Sequence, residues 1–181
     1  NANGGSVSPT SVITKSGYSF PLPNLNRDGY SFDGWYTAAS GGSKISSPFA
    51  VTDNATVYAH WTEIPKNTYT VSYHVNGGTG TPSAQKKTEG VALTLSSITP
   101  TKAFTISYNA NGGSVSPSSK SVSCAFNNWN TAQNGSGTSY APGASYITDS
   151  DVTLYAQWTN PTAGTLATPT RSGYTFDGWY T

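Results

Sequence analysis

The chain has 181 residues, a net charge of +1 and only 9% charged residues, which leaves no basic stripe to neutralise phosphates and argues against a nucleic-acid partner. Its 13% aromatic content argues against disorder. No run approaches the roughly 18 apolar residues of a membrane span, and a single cysteine, Cys124, excludes an intrachain disulfide.

The chain opens on NANGGSVSP, Asn1–Pro9, where Asn3-Gly4 has the chemistry of a tight hairpin turn. RDGYSFDGWYT follows at Arg27–Thr37. Around Ser46–Val51, Ser47 in a capping position before Pro48 predicts one short helical turn. TYTVSYHV at Thr68–Val75, FTISYNA at Phe104–Ala110 and VTLYAQW at Val152–Trp158 alternate apolar and polar residues. Such segments, rich in Val, Ile, Tyr, Thr and Trp, read as half-buried strands. NGG, SPS, SGG, NGSG and APGA between them supply turns, with further Asn-Gly pairs at Asn76, Asn111 and Asn134. No amphipathic helix is visible. The fold class predicted is mainly β, with hairpins and little or no helix.

Repetition sets the organisation. Arg27–Thr37 returns as RSGYTFDGWYT at Arg171–Thr181 with nine of eleven positions identical, and AFNNWNT at Ala125–Thr131 is a weaker copy. NANGGSVSP recurs at Asn109–Pro117 and, degenerate, at His74–Pro82, while TVYAHWT matches TLYAQWT at Thr153–Thr159. Asn3 precedes Trp35 by 32 residues, but Asn76 precedes Trp129 by 53. The surplus predicts a β-hairpin inserted at about 104–124. Trp158 precedes Trp179 by only 21 residues, so the third unit is short of a hairpin. The expected modules are 1–62, without its leading strand; 67–159, carrying the insertion; and 160–181, a linker and the start of a truncated third. EIPK at Glu63–Lys66 and NPTAG at Asn160–Gly164 read as linkers. The surplus hairpin either folds back on its own unit or pairs with a deficient one, within the chain or between chains. Both ends fall inside repeat phrases and methionine is absent, so the chain is expected to be a window on a longer protein.

The order strand, NGG, strand, GYxFxGWYT and LYAxW resembles the Listeria–Bacteroides repeat, also called the internalin B-repeat, over essentially the whole length. GYSFDGWYTAASGGSK at Gly29–Lys44 followed by TVYAHW at Thr56–Trp61 carries the likeness most specifically. The resemblance implies tandem small modules of β-grasp type, in an elongated arrangement, on secreted or wall-attached bacterial proteins. It implies a cell-surface stalk, spacer, adhesin or fibre-subunit role without catalysis. Its expected partners are neighbouring repeats of the same or identical chains.

Repeat positions point to a structural aromatic core: Phe32, Trp35, Trp61, Phe126, Trp129, Trp158, Phe176 and Trp179. Small modules bury limited area, so each large ring carries much of the stability. Gly34 and Gly178 precede a tryptophan, where a missing Cβ permits a bend, and Asn128 takes that place in the middle copy with its tolerance for the left-handed region. Tyr36, Tyr140, Tyr146 and Tyr180 are the candidate ligand contacts for the competing function, a module that binds carbohydrate or a host receptor. Catalysis and metal binding find little support. His60 and His74 lie in different units without partners at ligand spacing. Asp33 and Asp177 are repeat equivalents expected to bond turn backbone, and Asp149 with Asp151 is a thin set for calcium. No cofactor is implied. Cys124 is expected to be a buried, inert thiol. Lys15, Lys44, Lys102 and Lys120 are the strand lysines considered for isopeptide crosslinks, with solvated edge lysine as the plainer expectation.

Overall fold

The computed structural model describes residues 1–181, and strands and turns are its only regular structure. No helix is present, so none is long and apolar enough to cross a membrane. The chain divides into two compact units, Asn1–Lys66 and Asn67–Thr181.

The first unit contains β1 (Tyr18–Phe20), β2 (Tyr30–Tyr36), β3 (Lys44–Ile45), β4 (Phe49–Val51) and β5 (Tyr58–Glu63). β2 lies between β3 and β5 in an antiparallel sheet, and β1 pairs with β4. Residues three apart on a regular strand face opposite sides, yet Phe32 and Trp35 meet edge to face at 5.9 Å. A bulge between Phe32 and Gly34 makes this possible, because its extra residue returns Trp35 to the face of Phe32. Gly34 serves the bulge with φ +129, and a Cβ there would stand 2.7 Å from Lys44 Cε. The core is Leu25, Trp35 and Ala59, covered by Leu22, Phe32, Ile45, Val57 and Trp61.

The second unit adds β6 (Thr68–His74), β7 (Gln85–Thr88), β8 (Leu93–Thr94), β9 (Lys102–Ser107), β10 (Ser119–Cys124), β11 (Phe126–Asn130), β12 (Ser139–Tyr140), β13 (Ser145–Tyr146) and β14 (Val152–Trp158). Its main sheet runs β12-β11-β14-β6-β7. β14 and β6 are its parallel pair, in register from Val152↔Val71 to Tyr155↔His74. β8 pairs with β13, and β9 pairs only with β10. The same bulge recurs between Phe126 and Asn128 and sets Phe126 against Trp129. The core comprises Val71, Tyr73, Leu95, Trp129, Tyr146, Leu154 and Ala156.

The surplus hairpin is β9–β10, and it does not fold back as a closed appendage. Its NGG turn meets the C-terminal repeat. Ser114 and Thr170 exchange two backbone hydrogen bonds of 2.8 Å, Lys120 Nζ donates to Thr165 O, and the Tyr108 ring packs against Trp179 at 4.9 Å. The second unit is therefore interleaved: the opening of one repeat sits within another, and its close follows after β14.

Two local expectations differ from the structure. Ser46–Val51 forms no helical turn; Phe49–Val51 is β4, because the β1 backbone offers partners and Phe49 faces Phe20 across the pair. Asn128 is not left-handed, whereas Asn3, Asn76 and Asn111 are, with φ of 46°, 51° and 46°.

Candidate functional site

The recurring feature is a node built on each NGG turn. Asn and the following Gly both have positive φ, as a type I′ turn requires. The turn closes with Gly5 N–H to Ala2 O, Gly78 N–H to Val75 O and Gly113 N–H to Ala110 O, at 2.9–3.0 Å. Asn134-Gly135 differs, since only Gly135 has positive φ.

Each node then takes a cation. Arg27 Nη1, Lys102 Nζ and Arg171 Nη1 donate to the carbonyls of Asn3, Asn76 and Asn111, at 3.5, 3.0 and 3.0 Å. The two arginines also lie over Tyr30 and Tyr174, at 3.7 and 4.1 Å from the ring centroids. Trp61 and Trp158, at the ends of β5 and β14, donate through Nε1 to Ala2 O and Val75 O. Asn3 and Asn76 Nδ2 donate to Ala59 O and Ala156 O on the same strands. So the turn, the cation and the LYAxW strand are one assembly, which explains why these phrases travel together in sequence. The second Gly lies under the tryptophan: a Cβ on Gly78 would sit 2.6 Å from Trp158 Cζ2 and 2.7 Å from Thr101 O. Gly78→Ala is expected to cost about 1–3 kcal/mol, the range for forced overpacking. Chemical denaturation checks this, and a change below about 0.5 kcal/mol would contradict the close packing.

The bulge tryptophans form a second anchor. Trp35 is 5% exposed and donates to Pro23 O at 2.8 Å; Trp179 donates to Ala167 O at 2.9 Å. Trp129 is fully buried, but its Nε1 meets no protein acceptor. At the corresponding place Ser96 turns its N–H to Tyr73 Oη and Gln85 Oε1. Trp35→Phe therefore breaks a hydrogen bond and Trp129→Phe does not. Urea titrations should show Trp35→Phe to be costlier, by about 1 kcal/mol; equal losses would refute the distinction.

Among the candidate contact tyrosines, Tyr36 stacks on His60 at 3.9 Å and Tyr140 packs on Tyr146. Tyr180 is 85% exposed. Tyr146 is 2% exposed and belongs to the core, so it is not available to a ligand; β13 turns it inward opposite Leu93. Phe176 was expected in a core and is instead 39% exposed, because its ring meets Trp179 edge to face at 5.4 Å without joining either buried cluster.

Asp33 accepts from the Thr62 hydroxyl at 2.7 Å rather than from turn backbone. Asp151 accepts from Thr70 N. His60 Nε2 contacts Ala38 O and His74 Nδ1 accepts from Asn76 N. No group of three or more His, Cys, Asp and Glu side chains converges. Cys124 is buried on β10.

Sequence reasoning missed Lys87. It is the inward residue of β7, its side chain wholly buried, and its ammonium pairs with Asp149 and donates to Thr88 O. Asp149 also accepts from Gly90 N. The signal was the alternation of Gln85, Lys86 and Lys87 on a strand whose odd positions face inward. Burial pushes the Tyr73 phenol above its ordinary value of 10.0, and its hydroxyl donates to Gln85 Oε1 at 2.5 Å. A raised folded pKa means that this stability is full below the unfolded value and is lost as pH rises through the folded one. Alkaline unfolding should accordingly begin later in Tyr73→Phe, as followed by circular dichroism; coincident curves would rule out Tyr73 as the titrating group.

Turns, cations and tryptophans thus define a β-repeat protein whose recurring residues hold one another. The chain belongs to the Listeria-Bacteroides repeat domain family, whose profile matches residues 1–60, 69–103, 123–157 and 159–181. The gap between 103 and 123 falls on the β9–β10 hairpin. The chain is 28% identical over 189 residues to a "Putative Gly-rich membrane protein" of Evansella cellulosilytica, covering 87% of this chain and 20% of that protein. It is 28% identical over 154 residues to Internalin H of Listeria monocytogenes, covering 81% of this chain and 23% of that protein. It thus spans about a fifth to a quarter of these relatives. No solved structure matches it.

Proposed function

We propose that the chain is a non-enzymatic segment of a bacterial cell-surface protein, acting as a spacer or stalk that holds other parts of its parent away from the cell. The observation that carries this reading is the use of the recurring residues. The Asn-Gly turns, cations and tryptophans are engaged with one another within the nodes, so the recurring residues there serve to hold the fold. Arrays of small modules commonly span distance or present surfaces. Membership of a repeat family with Internalin H among its relatives supports the surface setting. The test is replacement. In a surface protein carrying this segment, exchange for an unrelated β-module array of equal length should leave the parent's binding intact, whereas shortening it should reduce binding. Loss of binding on exchange would overturn the spacer role.

A second reading, a glycan or receptor contact, is favoured by one place only. Tyr174, Phe176, Trp179 and Tyr180 line a hollow of ≈ 630 Å³, with Tyr174 68% and Tyr180 85% exposed. Saturable binding that Tyr180→Ala abolishes, with melting unchanged, would establish that reading.

A further inference from the structure

β6 and β14 are the first and last strands of the second unit's main sheet, yet they lie side by side, each with a further strand on its other flank. They are parallel, from Val71↔Val152 to His74↔Tyr155. A pull on the chain therefore enters at the amino end of one strand and leaves at the carboxyl end of its neighbour. It draws the two along their lengths in opposite directions. The bonds of a parallel ladder are evenly spaced, so they share this load and must fail together. An antiparallel pair in the same place would be loaded at one edge and would open one bond at a time. The rest of the unit, from β7 to β13, lies in the chain between the two strands and is shielded from the pull until they part.

Side chains tie both ends of the pair. At the amino end, Asp151 Oδ1 accepts from Thr70 N–H at 2.6 Å. At the carboxyl end, Trp158 Nε1 donates to Val75 O at 3.1 Å, and Asn76 Nδ2 donates to Ala156 O at 3.3 Å. All three bonds cross from one strand to the other, so sliding β6 past β14 stretches each of them. The His74 and Tyr155 rings, matched in register, meet at 5.4 Å. Between these ends Val71, Tyr73, Leu154 and Ala156 are buried. Water has little access there to replace the ladder bonds as they lengthen.

We propose that the β6–β14 pair is a tension-bearing clamp, which keeps the second unit at its folded length when the chain is pulled. The inference deepens the spacer role and rests on it for its setting, whereas resistance to force belongs to the unit alone. Loss of the parent's binding on exchange of the segment would remove the spacer role and leave the clamp standing.

The test is single-molecule pulling of the whole chain through introduced cysteines, in a Cys124→Ala background. Lys66→Cys with Asn160→Cys loads the pair along its length. Lys66→Cys with Ser150→Cys loads the amino ends of both strands and opens the ladder from Val71↔Val152 onwards. All three attachment positions are exposed. Forced unfolding reads the rate of crossing the unfolding barrier. At equal loading rate, the first geometry is expected to need a severalfold higher force than the second. It should release about 280 Å of chain, from the extended length of the residues between the handles. Deletion of Ala103–Ser123 in that geometry should shorten the release by about 70 Å and leave the force unchanged. Equal forces in the two geometries would overturn the proposal. So would a high force that disappears with the hairpin, because the resistance would then lie outside the β6–β14 pair.

Discussion

Asp149→Ala is expected to destabilise the second unit by about 3 kcal/mol, the low end of the range for removing one partner of a buried pair. The Lys87 side chain is wholly buried in the structure, and Asp149 supplies its counter-charge. Without that carboxylate the ammonium keeps only the Thr88 carbonyl, in surroundings that disfavour an unpaired charge. The figure sits at the low end because the Asp149 side chain is 34% exposed and water screens it. Lys87→Met should cost little or stabilise the unit, because it removes the desolvation penalty while the aliphatic stem is replaced by one of similar length. The double variant should recover most of the loss. Amide exchange at Val71 and Leu154 reads the second unit by itself, with Ala59 as the control in the first. If Asp149→Ala alone leaves those amides unchanged, the pair does not hold β7 to the loop before β14.

Deletion of Ala103–Ser123 is expected to leave the second unit's main sheet folded and to release the final repeat. Lys102 and Cys124 face one another across the β9–β10 pair, so excision joins two residues that already lie side by side. The closure entropy of the surrounding chain changes little, and the stability of the main sheet should shift by no more than about 1 kcal/mol. The final repeat loses every partner described for it: Ser114 for Thr170, Lys120 for Thr165, Asn111 for Arg171 and Tyr108 for Trp179. The Thr170 amide should then exchange at the rate of an unstructured chain, and Trp179 fluorescence should shift towards that of solvated indole. Continued protection of Thr170 would show that another part of the chain holds it.

Period-two alternation was enough to locate β6, β9 and β14, and Asn-Gly was enough to place three of the turns, because both signals act over a few residues. What the sequence concealed depends on partners far along the chain. RDGYSFDGWYT and RSGYTFDGWYT differ at two positions, yet the first forms β2 and the second forms no strand. The first copy is paired along its length with β5. Strand formation reports cross-strand neighbours more than local preference. Tyr146 is drawn into the core because β13 meets β8. Ser47-Pro48 carried a helix signal that pairing between β1 and β4 overrode. Lys87 was invisible as a core residue because lysine is seldom buried without a partner, and Asp149 is far from it in sequence. Unequal spacing between tryptophans did expose the surplus hairpin and the short third repeat. It left open which one answered the other, since spacing carries no information about contact.

The interleaving also sets a timetable. A chain that emerges from its amino end delivers Lys102–Cys124 well before Thr165–Trp179, with all of β11 to β14 between them. The hairpin must therefore wait, without its partners Thr165, Thr170 and Trp179, until the remainder arrives. At about 5–20 residues per second during synthesis, that wait lasts seconds, far longer than the microseconds in which a hairpin forms. During it, the half-built repeat presents an unpaired strand edge of the kind that pairs with other chains.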